Sequence, residues 1–248
     1  MPATFALTQF LDLLLKSTEL KAFQSLAGLT AADAAEKAAH VNSALAVELM
    51  VVTGLIAFFV LVRITLSVEN PGPVQHMAEM IYEAIGDQAE QVIGHGYQRY
   101  QAYVTCIFLF VLLNNLVGLV PGVEAPTTLI MVTLGLALPT FLYYNYYGVK
   151  EQGPIGYLKH FAGPVWWMAW LIFPIEIVSH LARVMSLSVR LYANMFAGDL
   201  VTLVFFSLVP VGIPVIFLGL HLFVSLIQAF VFTLLTMIYL SLAVSHEH

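Results

Sequence analysis

Charge is scarce in this sequence. Asp, Glu, Lys and Arg together make up 10% of the residues, where a soluble domain carries about a quarter. The nine Lys and Arg are scattered, and a nucleic-acid surface needs a basic stripe, so that class of partner is excluded. Cys106 is the single cysteine, which rules out an intrachain disulfide framework and a cysteine-based metal cluster. No G-x-x-x-x-G-K-[ST] loop occurs, so nucleotide chemistry has no seat here. The first residues lack a basic stretch followed by an apolar core and a cleavage site, and no cleaved signal peptide is expected. There is also no internal repeat of the kind that secondary transporters show.

What is abundant is apolar surface: 60% of residues are hydrophobic. The expected fold class is an all-α integral membrane protein with five membrane helices and one amphipathic surface helix. Residues 1–43 read as a surface segment holding two short amphipathic stretches, one over Phe5–Leu15 and an Ala-rich one over Thr30–His40. A membrane domain over 44–248 follows. Its first span is about 44–66, close to the twenty residues a hydrocarbon core requires, with Glu48 and Arg63 near its ends, where long side chains can snorkel. Asn70-Pro71-Gly72-Pro73 breaks the chain. From Val74 to Gly94, apolar residues recur at helical spacing with Glu79, Glu83, Asp87 and Glu90 on other faces, the pattern of a helix lying on the membrane or on a partner. His76, Glu79 and Glu83 have metal-ligand spacing, but a solvated polar face explains them better, and no metal site is assigned.

The second span, about 100–120, opens with interfacial tyrosines and closes with Asn114 and Asn115, read as hydrogen-bonding glue between helices. A Pro-Gly turn leads to a third span, about 127–147, ending in Tyr143, Tyr144, Tyr146 and Tyr147 as an aromatic belt. Gly148 to Pro164 reads as a polar loop. The last two spans, about 165–209 and 215–244, each exceed one perpendicular crossing. They are expected as a long inclined hairpin turning at Pro210–Pro214. Arg63, Arg99, Lys150 and Lys159 flank one side against Lys37 on the other. That asymmetry places the N-terminus outside and the C-terminus inside.

The chemistry concentrates in SLSVRLYANMFAGDL, Ser186 to Leu200. An arginine near the centre of a membrane segment costs roughly 2.5–3.5 kcal/mol on insertion scales, so Arg190 faces a partner, a cavity or water. Positions seven apart on a helix differ by roughly 20°. Glu176, Arg183 and Arg190 therefore share one stripe, flanked by Ser179 and Ser186 and continued by Asn194. Asp199 points to nearly the opposite face. On the last span His221, Ser225 and Gln228 share a face. An antiparallel hairpin brings Gln228 near Arg190 and His221 near Asp199, and suggests two aqueous approaches meeting at a fixed positive charge.

These segments resemble the subunit a family of F-type ATP synthases. The likeness rests on SLSVRLYANMFAGDL, on HLFVSLIQAFVFTLLTMIYL from His221, on PIEIVSHLARVMSL from Pro174, and on NNLVGLVPG from Asn114. It covers about residues 44–248. The resemblance implies a non-catalytic, stationary proton-translocating subunit of a bacterial inner membrane, without cofactor or metal. Its implied partners are the c-ring, subunit b of the peripheral stalk and the rest of the complex, and its last two helices are implied to curve along the ring. By the same resemblance Arg190 is the stator arginine. Asn194, Asp199, His221 and Gln228 match the half-channel from outside, and Glu176 and Ser179 match the half-channel to the inside. Four departures stand out. Asp199 replaces a common Glu, and Val184 follows Arg183 where proline is common. Gly118 replaces an acid found in some members, and Leu129 and Met131 replace polar residues, which puts in doubt how wet that part of the outer path is. A sodium-coupled version of the same subunit and a secondary ion transporter are the alternatives.

Overall fold

The structure is a computed structural model that describes residues 31–67, 72–120, 123, 125–162, 169–208 and 212–244. Among these residues six α-helices and one short 3-10 turn form, and there is no strand. The helices are α1 (Ala31–Ile64), α2 (Pro73–Ile93), α3 (Gln98–Val117), α4 (Ile130–Ala162), α5 (Ala169–Leu208) and α6 (Ile213–Val244). Four carry stretches long and apolar enough to cross a bilayer: Ser43–Ile64, Gln98–Val117, Trp170–Ser207 and Val215–Val244. The stretch expected as a third span lies in α4, outside that set of four; its tyrosines and Asn145 dilute its apolar character.

Two expectations change. The Ala-rich stretch is no separate surface helix, because α1 runs unbroken from Ala31 into the apolar segment. Alanine is the strongest helix former, so nothing in that stretch signals a stop. The Phe5–Leu15 stretch lies outside the described residues. The segment expected as a polar loop, Gly148 to Pro164, is helical as far as Ala162, where the described residues stop, and is interrupted at Gly153, with φ 75° and ψ 158°. That left-handed φ suits glycine, and Pro154 behind it cannot donate a helical hydrogen bond. The break folds the chain back, since the Tyr157 hydroxyl donates to Asn145 Oδ1 at 2.6 Å. In an unbroken helix those residues stand about 18 Å apart.

Helices α3, α4, α5 and α6 pack against one another around a shared core. Ile107 and Val111, Ala137, Leu187, Leu191 and Met195, and Ala229 and Phe232 meet at its centre. Of these, Ala137 and Ala229 are small and the rest are larger apolar side chains that fill the space between the helices. A buried hydroxyl pair, Thr133 Oγ1 and Ser188 Oγ at 3.0 Å, ties α4 to α5. Asn115 accepts from Thr127 Oγ1 at 2.9 Å and donates to the Ser225 carbonyl at 3.5 Å. Asn114 instead donates within its own helix, to the Phe110 carbonyl. Helix α2 starts with a proline at its first position and seats Ile85 and Ala89 on α3 and α6. Gln75 clamps its start to the end of α1, accepting from the Ser67 N–H and donating to the Ser67 carbonyl.

Helix α5 is a single element of 40 residues, about 60 Å long. It runs antiparallel to α6 in constant register. Arg183 lies over the Tyr239 ring, Asn194 bonds Gln228, Asp199 meets His221, and Phe205 stacks on Phe217 at 4.0 Å. Twenty-two residues down α5 match twenty-two residues back along α6.

Candidate functional site: a polar track along α5

Three groups of polar side chains lie along α5, and the register with α6 assembles two of them. At the lower end Asp199 Oδ1 sits 3.5 Å from His221 Nδ1. The imidazole is buried while the carboxylate is part-exposed. The close approach depends on Gly198: a Cβ there meets His221 Nδ1 at 3.0 Å and Cε1 at 3.1 Å. One turn up, Asn194 Nδ2 donates to Gln228 Oε1 at 2.6 Å. His221 Nε2 and Gln228 Nε2 are both buried, with no hydrogen-bond partner among the described residues. An unsatisfied polar group in a membrane interior costs several kcal/mol.

Arg190 stands in the middle, half-buried, and donates from Nη2 to Ser186 Oγ at 3.3 Å. Among the described residues no carboxylate lies within ion-pair distance of it. Beside it the outer face of α5 carries Ala182, Ser186, Val189, Ala193 and Ala197 exposed. The guanidinium thus borders an open, small-residue face.

At the upper end Glu176 Oε1 lies 3.4 Å from His180 Nε2 and 3.8 Å from Arg183 Nη2. His180 is buried, and its Nδ1 is 3.1 Å from the Tyr144 hydroxyl on α4. Ser179, on the neighbouring position of α5, is part-buried.

The structure therefore brings His221 to Asp199 and Gln228 to Asn194, one turn from Arg190. It keeps Glu176 and Ser179 apart from them, near the other end of α5. Sequence reasoning missed His180 and Tyr144. The signal for His180 was available, because a residue four after Glu176 shares its face. Tyr144 was absorbed into an aromatic belt, yet at 2% exposure it faces inward; its neighbour Tyr146, at 60%, keeps the expected place. Among the described residues no group of three or more His, Cys, Asp or Glu gathers as metal ligands.

Fold and site together define a helical membrane protein with a partly exposed polar track along one of its long helices. Residues 45–241 match the family model for the ATP synthase A chain. The chain is 53% identical over 210 residues to the ATP synthase subunit a of Koribacter versatilis, covering 85% of this chain and 86% of that one. Against the subunit a of Solibacter usitatus identity is 48% over 201 residues, 81% of this chain and 86% of the relative. The subunit a of Bdellovibrio bacteriovorus is 47% identical over 171 residues, 68% and 74% of the two chains. The chain belongs to the ATP synthase subunit a family.

Proposed function

We propose that this chain is the stationary, proton-conducting subunit of a bacterial F-type ATP synthase. It lies in the inner membrane with its N-terminus outside and its C-terminus in the cytoplasm, α4 supplying a fifth crossing. It acts beside a ring of c subunits and the subunit b stalk, and has no catalytic site of its own. The observation that carries this reading is the order of groups on α5: a carboxylate centre on each side of an arginine that has no carboxylate within ion-pair distance among the described residues. At 1.5 Å per residue Glu176 and Asp199 are about 34 Å apart, with Arg190 about 21 Å from one and about 14 Å from the other.

Protons enter from outside past Asp199, His221, Asn194 and Gln228 and load a ring carboxylate. The neutral acid then crosses lipid, where its charged form is prohibitive. It returns to the subunit near Ser179 and Glu176, releases its proton inside, and passes Arg190 ionised. A guanidinium stays protonated, so Arg190 neutralises the passing carboxylate and bars direct transfer between the two paths. Each charge crossing is worth about 2.3 kcal/mol per 100 mV, which biases the ring in one direction.

The test is Arg190→Ala in the whole complex, reconstituted into vesicles. Coupled ATP synthesis and ATP-driven pumping are expected to vanish while subunit content is unchanged. Normal pumping by this variant refutes the reading.

A further inference from the structure

One buried group at the inner end has no role in the reading above: His180, clamped between two helices. Its two ring nitrogens have different partners, Nε2 toward Glu176 on its own helix and Nδ1 against the Tyr144 hydroxyl on α4. The imidazole is 7% exposed and stacks with Tyr144 at a centroid distance of 5.9 Å, an interplanar angle of 28°. Both contacts satisfy the ring, as a buried imidazole requires, and they tie α5 to α4. We propose that His180 holds a proton on the inner path, with Glu176 as its counter-charge and Tyr144 setting which nitrogen carries the hydrogen. This rests on the inner-path role proposed for Glu176.

The Tyr144 hydroxyl donates to Nδ1 of the neutral ring, so the ring hydrogen sits on Nε2 and points at the carboxylate. A proton arriving through water from the ring acid, whose O–H bond breaks to leave a carboxylate, binds Nδ1. The Tyr144 oxygen then becomes the acceptor. The resulting imidazolium is balanced by Glu176 at 3.4 Å. Loss of that proton to water on the inner side restores the neutral ring.

The other charged or titratable groups around the pair are few. Arg183 lies 3.8 Å from Glu176, and Tyr157 on α4 and Tyr239 on α6 face the same corner. The imidazole is the group there whose unperturbed titration falls between about pH 5 and 8. Relaying through His180 thus ties the inner path to pH in that window.

Inverted membrane vesicles holding the whole complex put the inner face in the medium, where its pH is set directly. The measured quantity is the initial rate of ATP-driven acidification, divided by the uncoupled hydrolysis rate at the same pH. Wild type is expected to lose pumping per hydrolysis as the medium rises from about pH 6 to about pH 8. In His180→Gln that decline is flattened, with a rate roughly tenfold lower at the acid end. A wild-type profile flat across this window overturns the proposal, as does a His180→Gln profile with the wild-type midpoint, whatever its rate. Should His180→Gln fail to assemble with the ring, Tyr144→Phe decides. It removes one oxygen; a displaced midpoint supports the proposal and an unmoved one overturns it. Arg190→Ala in the same vesicles separates the two levels. Normal pumping there removes the stator reading itself, whereas abolished pumping with an unaltered His180→Gln profile removes only this inference.

Discussion

Gly198 decides how closely His221 lies against α5, and so how Asp199 meets it. A methyl group at this position stands 3.0 Å from Nδ1, the ring atom that faces Asp199. The ring is buried and its helix is pinned by the Asn194–Gln228 bond, so it must tilt rather than retreat. Gly198→Ala is therefore expected to leave assembly intact and to slow proton delivery about threefold to tenfold, since small displacements of a transferring group are costly. Proton-driven ATP synthesis at fixed driving force checks this, and an unchanged rate means that the His221–Asp199 spacing does not limit entry. The Asp199 carboxylate is set on the shorter of the two acidic side chains. A Gly at the preceding position, where the imidazole can come to the helix backbone, offsets that lost reach.

Across elements, the contacts of α5 and α6 fix a single antiparallel register at four separate points, from Arg183–Tyr239 to Phe205–Phe217. The stacked Phe205 and Phe217 close that pair of helices at one end. With Cys106→Ser as background, Phe205→Cys paired with Phe217→Cys is expected to cross-link efficiently with a short bifunctional maleimide. Phe205→Cys paired with Phe223→Cys, six residues or about 9 Å further along α6, is expected to cross-link poorly. Equal yields refute the register. This pairing was legible beforehand because both helices are uninterrupted and each carries its polar residues on one face, so that matching stripes fixes the alignment. The unbroken run of α5 after Pro174 was legible from the absence of proline between Pro174 and Pro210, but its start at Ala169, with Pro174 inside the helix, was not. Less was visible where the same residues serve two environments. The tyrosines of α4 divide, Tyr144 inward and Tyr146 outward, and composition alone does not distinguish a membrane belt from a buried cluster. The helical course of residues after Gly148 was hidden for a related reason. Lys150, Glu151 and Gln152 suit a loop and a helix end alike, and the neighbours settle it: Arg99 pairs with Glu151, and Gln152 donates to the Ala243 carbonyl.

For the molecule as a whole, the length of α5 bears on depth in the membrane. On the proposed reading, a helix of about 60 Å held within a core of about 30 Å would lie inclined by about 60° from the membrane normal. At that inclination the 34 Å between Glu176 and Asp199 becomes a difference in depth of about 17 Å. On the proposed reading each acid would then be near one face of the membrane and far from the other, with Arg190 between them in depth as it is in sequence. A helix standing upright instead carries part of its length beyond the bilayer, and the exposed apolar side chains along it, from Ile175 and Val178 through Met185 and Val189 to Leu203 and Val204, oppose that. The arrangement requires opposite sidedness. Both carboxylate side chains are between a quarter and a third exposed, so a thiol placed at either position meets whatever water reaches it, and only the hydrated thiolate reacts with a maleimide. In a Cys106→Ser background, Asp199→Cys is expected to label with a membrane-impermeant maleimide added outside, and Glu176→Cys with the same reagent added inside. Each should label at least about tenfold faster from its own side, because water continuous through the membrane dissipates the gradient that the complex uses. Labelling of both positions from one side, or of either position equally from both, means that the two approaches join, and an arginine between them separates nothing.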